Sequence, residues 1–259
     1  MERNLLLTIA YDGSGFSGWQ RQPNARTVQG ELERVLSQIM GKPIQINGTS
    51  RTDAGVHALG QRASFRGEFG IPTDRIQTAA NHLLAGRSGG IGKIGRVGEI
   101  EILRVEEMPP DFHARFNAKG KLYRYVIRNW PKPDLFQRKY CYQIEQPLNL
   151  DLMNKAAKFI VGTHDFKCFQ ASGSTVREST VRTIHRLDIN RSDKNVIIEI
   201  AGDGFLYNMV RIITGTLVEV GLGRRKPEEI TSIITSLDRQ RAGHTAPPEG
   251  LYLAEVFYN

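Results

Sequence analysis

Two cysteines, Cys141 and Cys168, are all that this chain of 259 residues contains, and they form no C-x-x-C pair. A disulfide framework and a zinc ribbon are therefore excluded, and the usage suits a reducing compartment. No apolar run approaches the length needed to cross a membrane. The stretch Leu5 to Ala10 is cut short by Tyr11-Asp12-Gly13 before it reaches signal-peptide length, so a soluble cytoplasmic protein is expected. The six histidines are scattered, without an H-x-x-x-H pair or a His–Cys cluster, and no metal site is expected. Acidic residues are in deficit: 27 against 35 Lys and Arg, a net charge of +8 and a pI of about 9.6. That balance favours a polyanionic partner such as nucleic acid over a merely soluble basic protein. The excess is uneven, with a net of +2 over residues 1–110 and +6 over residues 111–259, so phosphate contacts are expected mainly in the second half.

Hydrophobic residues, at 40%, suffice for packed cores, and the length allows one large domain or two small ones. Leu5 to Tyr11 reads as a strand. Val28, Leu32, Val35, Leu36 and Ile39 recur at helical spacing between a Thr27 cap and a Gly41 stop. Ile44 to Asn47 and Ala58 to Arg66 read as strands. Thr73 can cap a helix through Ile76, Ala79, Ala80, Leu83 and Leu84 that ends at Gly86, and Ile91 to Val105 holds one or two strands broken at Gly98. The second half repeats this order. Leu122 to Ile127 is a strand, Leu152 to Ile160 a helix, Ile184 to Ile189 and Val196 to Ala201 two strands, Met209 to Val220 a helix and Leu251 to Phe257 a strand. An additional helix starts at Pro227. The expected fold is α+β: two ferredoxin-like (RRM-like) β-α-β-β-α-β subdomains with antiparallel sheets, leaving an open sheet face or a central cleft. Met108-Pro109-Pro110 is the expected joint, between an N-terminal subdomain (1–108) and a C-terminal one (109–259).

Four segments carry chemistry beyond this frame. Gly13-Ser14-Gly15-Phe16-Ser17-Gly18 satisfies G-x-G-x-x-G after a strand. A dinucleotide site also needs the helix to open at that turn, whereas here Trp19 to Asn24 intervenes and the helix begins near Thr27. A surface loop is the better reading, and no cofactor is expected. Ser50-Arg51-Thr52-Asp53-Ala54-Gly55-Val56-His57-Ala58 lies between apolar stretches yet holds a carboxylate, a guanidinium and an imidazole, more than a chain reversal requires. Asp53 and His57 could share a metal only on a helix, and Gly55 favours a loop. Arg115 to Arg128 reads as a basic strand: Arg115, Lys119, Lys121, Arg124 and Arg128, no acidic residue, and Phe116, Tyr123 and Tyr125 interleaved. Lys121, Tyr123, Tyr125 and Ile127 share a face, either an RNA platform of rings and cations or a core strand with a solvated edge. In Phe205-Leu206-Tyr207-Asn208-Met209-Val210-Arg211, Arg211 points away from the helix's apolar face.

These segments together resemble the tRNA pseudouridine synthase A (TruA) family. Residues 50–58 match eight of nine positions of G-R-T-D-x-G-V-H-A, with Ser50 where glycine is common. Tyr11 to Gln22 resembles the opening motif Y-D-G-S-x-F-x-G-W-Q-R-Q, Arg115 to Tyr125 resembles R-F-x-A-x-x-K-x-Y-x-Y, Phe205 to Arg211 resembles F-x-x-x-M-V-R, and Gly250 to Leu253 resembles the closing G-L-Y-L. The resemblance implies the pseudouridine synthase fold with the cleft as RNA site, and an isomerase acting on uridines 38 to 40 of the tRNA anticodon arm. It implies Asp53 as the catalytic carboxylate, attacking C1′ or removing the 2′ proton, and Arg211 as its partner. Arg51 would enter the space left by the extruded base, and Tyr123 would stack on that base. Lys119, Lys121 and Arg124, with Arg21 and His57, are expected as further RNA contacts. A homodimer carrying one tRNA across both subunits is also implied. The reading from another class is a non-catalytic RNA-binding module of RRM-like architecture, which would not need Arg51, Asp53 and Arg211 and would usually show an R/K-G-F-G-F-type strand.

Overall fold

The computed structural model describes residues 2–89, 98–173 and 179–258. They form a mixed α+β fold of two compact units, Met1–Lys119 with Leu253–Asn259, and Gly120–Tyr252.

In the first unit, β1 (Glu2–Tyr11) pairs antiparallel with β3 (His57–Glu68) on one side and β4 (Ile100–Met108) on the other, and the two-residue β2 (Asn47–Gly48) pairs with β3. Helix α1 (Val28–Met40) begins and ends where the sequence predicts: Thr27 Oγ1 accepts the Gly30 amide at 3.3 Å, and Gly41 closes the helix at φ +67°. Helix α2 (Thr73–Gly89) runs past the expected stop at Gly86, with Ile76, Ala80 and Leu84 buried. The expected strand over Ile44 to Asn47 is largely replaced by irregular backbone. The amides of Ile44 and Ile46 are instead taken by Ser37 Oγ and Glu33 Oε1 of α1 at 2.8 and 3.0 Å, so no neighbouring strand is needed. Of the strands expected over Ile91 to Val105, residues 91–97 lie outside those described. Residues 109–119 pack with this unit: the Asn4 amide group donates to the Pro109 and Phe112 carbonyls, and Phe112 and Ala114 bury against Leu6 beside Tyr258.

In the second unit the antiparallel order is β5 (Gly120–Asn129), β9 (Asn195–Gly202), β8 (Val181–Ser192) and β7 (Gly162–Asp165), with β6 (Tyr142–Ile144) parallel to β5. Strands β6 and β7 are too short to show a period in the sequence. Helix α3 (Leu150–Lys158) is capped by Asn149. Helix α4 (Met209–Gly221) is almost wholly buried, and α5 (Glu229–Ser236) turns Ile230, Ile233 and Ile234 inward. The last strand, β10 (Leu251–Phe257), belongs to the first unit from Leu253 onward and has the bounds expected of it. The basic segment is a strand only from Gly120 onward; residues 115–119 are turn and irregular chain. Among the described residues, no helix is long and apolar enough to cross a membrane.

Candidate active site

The loop at residues 49–57 leaves β2 and enters β3, and the opening motif holds it. The Tyr11 hydroxyl meets Thr52 Oγ1 at 2.7 Å, and the Trp19 amide donates to the Thr52 carbonyl at 3.0 Å. Gln61, fully buried on β3, donates to the Ser50 carbonyl at 2.7 Å and accepts the Ser50 amide at 3.3 Å. Asp53 itself begins a turn closed by the Val56 amide on the Asp53 carbonyl at 3.2 Å, with Gly55 at φ +79° in the third position, where such a turn favours glycine. Ser50 is not at positive φ, so serine fits there without backbone strain. The result is a rigid arch with Arg51 exposed and Asp53 half-buried at its crest.

The glycines of the G-x-G-x-x-G run serve this arch. A Cβ on Gly13 would lie 2.0 Å from the Val56 carbonyl oxygen, and one on Gly18, at φ +89°, 2.7 Å from the Thr52 carbonyl oxygen. The small residues admit the signature loop, a reason for glycine unrelated to phosphate binding. His57 belongs to the same support. Its side chain is 2% exposed and Nδ1 accepts the Gly13 amide at 3.1 Å. Asp12 Oδ1 lies 3.3 Å from the same nitrogen. Buried at the base of the loop, His57 braces it through Gly13.

Among the expected cations, Arg21 is half-exposed and salt-bridged at 3.0 Å to Glu33, a 7% exposed carboxylate of α1. Arg124 pairs across strands with Glu199, Nη2 to Oε1 at 2.8 Å. Lys119 is exposed, and its amide donates to the Phe257 carbonyl at 2.8 Å. Lys121 is half-buried beside the start of β5.

Tyr123, Tyr125 and Ile127 fall on the buried face of β5. Tyr123 is 7% exposed and meets Phe205 edge to face, the centroids 5.0 Å apart at 79°. Burial raises the Tyr125 phenol well above its usual pKa, and its hydroxyl donates to the Pro247 carbonyl at 2.6 Å. Arg211, in the first turn of α4, donates from Nε to the Ala246 carbonyl at 2.7 Å and from Nη1 to Asn208 Oδ1 at 2.8 Å. Asn208 sits at φ +59°, a conformation its short amide side chain tolerates, and this puts its oxygen under the guanidinium.

Of the supporting residues, Tyr11, Trp19 and Phe205 fall on motif positions that carry no role in the sequence, and Gln61, Asn208 and Ala246 are not singled out there. Gln61 leaves a signal outside the motifs: it shares the parity of Ala63 and Phe65, and a polar residue on an inward strand face needs partners. Among the described residues, no group of three or more His, Cys, Asp or Glu side chains is placed to hold a metal ion.

Comparison with known proteins agrees with this arrangement. The model of the family described as tRNA pseudouridine synthase matches residues 7–117 and 156–259. A tRNA pseudouridine synthase A of Acetivibrio thermocellus is 49% identical over 256 residues, covering 99% of this chain and 100% of that protein. A tRNA pseudouridine synthase A 2 of Clostridium tetani is 45% identical, covering 100% of both. One from Brevibacillus brevis is 44% identical over 99% of this chain and 100% of its own. Full-length identity at this level, with the signature loop seated in its motif partners, establishes that the chain belongs to the tRNA pseudouridine synthase A (TruA) family.

Proposed function

We propose that the protein converts uridine to pseudouridine in the anticodon arm of tRNA, at positions 38 to 40, with Asp53 as the catalytic carboxylate. The reaction breaks the N1–C1′ bond, turns the uracil and joins C5 to C1′; the C5 proton is lost and N1 regains one, so the product is an isomer and no group donor is consumed. The observation that carries the reading is the Asp53 arch: the one acidic residue of the signature loop, set on a glycine turn and fixed from behind by Tyr11, Trp19, Gln61 and Gly13. A binding module has no use for a pre-set carboxylate; a reaction that develops positive charge on a sugar does.

In this reading the target base is extruded from its stack. Arg51, exposed beside Asp53, fills the space left behind. Tyr123 stacks on the uracil and takes part in removing the C5 proton, and Arg211 supplies the cation that keeps Asp53 ionised. Exposed Lys119, with Lys121, Arg124 and Arg21, neutralises phosphates. The protein works in the cytoplasm as a homodimer that binds one tRNA across both subunits. Release of tritium from C5-labelled uridine in tRNA tests the activity, because a non-catalytic RNA-binding module releases none. Pseudouridine mapping in RNA from a strain lacking the protein tests the positions, and light scattering with and without tRNA tests the dimer.

A further inference from the structure

Helix α4 presents Arg211, Gly215 and Glu219 at intervals of four, so the three share one face, with Thr216 beside them. Residues 243–246 lie along that face. The Gly243 amide donates to Thr216 Oγ1 at 2.9 Å. The His244 amide and His244 Nδ1 both reach Glu219 Oε1 at 3.0 Å. The Ala246 amide donates to the Arg211 carbonyl at 3.1 Å, and the Ala246 carbonyl accepts Arg211 Nε at 2.7 Å. The approach is tight: a Cβ on Gly215 would lie 1.9 Å from the His244 carbonyl oxygen, and one on Gly243 2.7 Å from Thr216 Cα. Arg225, which donates from Nε to Glu219 Oε2, fixes the carboxylate from its other side.

Resting on the proposed role of Arg211, we propose that Glu219 is a positioning residue for that arginine. It holds His244, and thereby the Ala246 carbonyl that aims the guanidinium. The connection is short and stiff. One residue, Thr245, separates His244 from Ala246, both ends are hydrogen-bonded to the same helix, and the glycine contacts leave the segment no room to settle closer. Without the Glu219 acceptor, two donors of His244 lose their partner, and the segment is anchored to α4 only at Thr216 and Arg211. The Arg211 side chain then keeps Asn208 Oδ1 but loses the firm placement of the Ala246 carbonyl.

The test is hydrogen exchange at the Arg211 Nε–H, read by NMR on the full chain and assigned by its loss in Arg211→Lys. Glu219→Ala is expected to speed this exchange by about tenfold or more, because local opening costs less when the segment is loosened. It is also expected to lower kcat by about tenfold or more while leaving KM for tRNA unchanged, since misplacing a catalytic group costs rate rather than binding. Glu219→Gln keeps an oxygen for the His244 amide and is expected to recover most of both. A purely structural role would lower Tm in both variants and leave Nε exchange and kcat as in the wild type at temperatures below unfolding. That outcome, or a rise in KM at unchanged kcat, overturns the proposal. If Glu219→Ala does not fold, His244→Ala carries the test. It removes the ring bond to Glu219 and the ring's contact with the Tyr142 hydroxyl but keeps the His244 amide bond, so intermediate acceleration is expected, and unchanged exchange overturns the proposal. The exchange measurement needs no turnover, so its failure is distinct from failure of the enzymatic assignment.

Discussion

Arg211 and Ala246 hydrogen-bond to each other twice, Nε to carbonyl at 2.7 Å and amide to carbonyl at 3.1 Å. A flexible surface arginine would not be held at both its backbone and its side chain. The reciprocal pair shows that this guanidinium is aimed, and it ties the first turn of α4 to the loop before β10.

Asp53→Asn is expected to abolish tritium release, by about 10²-fold or more, with tRNA affinity unchanged or slightly stronger. Asn keeps the shape of the turn and removes one negative charge, which in the proposed reading lies toward the RNA. Turnover within tenfold of wild type would refute Asp53 as the catalytic group. Chelation by EDTA is expected to leave the rate unchanged once the tRNA is shown to keep its fold.

Gly13→Ala is expected to destabilise the protein by about 1–3 kcal/mol, the usual cost of overpacking. The new methyl would meet the Val56 carbonyl oxygen at 2.0 Å. Because that carbonyl belongs to the Asp53 turn, kcat should fall even below the unfolding temperature. Calorimetry and tritium release check the two effects separately; a stable variant with full activity would show that the loop tolerates displacement.

Lys119→Ala is expected to weaken all RNA sequences alike and to lower the slope of log affinity against log salt by about one unit. Tyr123→Phe keeps the edge-to-face pair with Phe205 and carries no charge change, so the salt slope should stay put while turnover falls. Affinity titrations at several salt concentrations decide it. A lowered slope in Tyr123→Phe with none in Lys119→Ala would mean that the lysine faces away from RNA.

The acid limb of stability should depend on Glu219. Burial alone would raise its pKa, but hydrogen bonds from Arg225 and His244 outweigh burial and hold the carboxyl at about 2, against 4.5 when free. A depressed folded pKa stabilises above the unfolded value and is lost as protons bind, so this contribution is complete above about pH 5 and disappears between there and pH 2. Denaturant unfolding of wild type and Glu219→Gln is expected to show a stability gap that is constant near neutrality and narrows below pH 4.5. A gap that holds its size down to pH 3 would show that ionisation of Glu219 does not matter.

Most elements were legible in the sequence because each follows from a local rule. The caps at Thr27 and Gly41, the periodic apolar faces of α1 and α4, and the alternation in β5 are set by neighbours within a turn or two. The signature loop was legible for the same reason: its charged residues and Gly55 are contiguous. By itself the sequence determined the α+β pattern, the family and the residues able to do chemistry. Tertiary structure decided what those residues touch. It set His57 as a buried acceptor for the Gly13 amide, gave Arg124 and Arg21 acidic partners, and let Glu33 and Ser37 satisfy the amides that would otherwise have made a strand at Ile44. It also brought Thr52 to Trp19 and Ala246 to Arg211, contacts made across more than 30 residues. No periodicity records such contacts, because hydrogen-bond acceptance and close packing depend on distance in space, and distance in space is what only the assembled chain supplies.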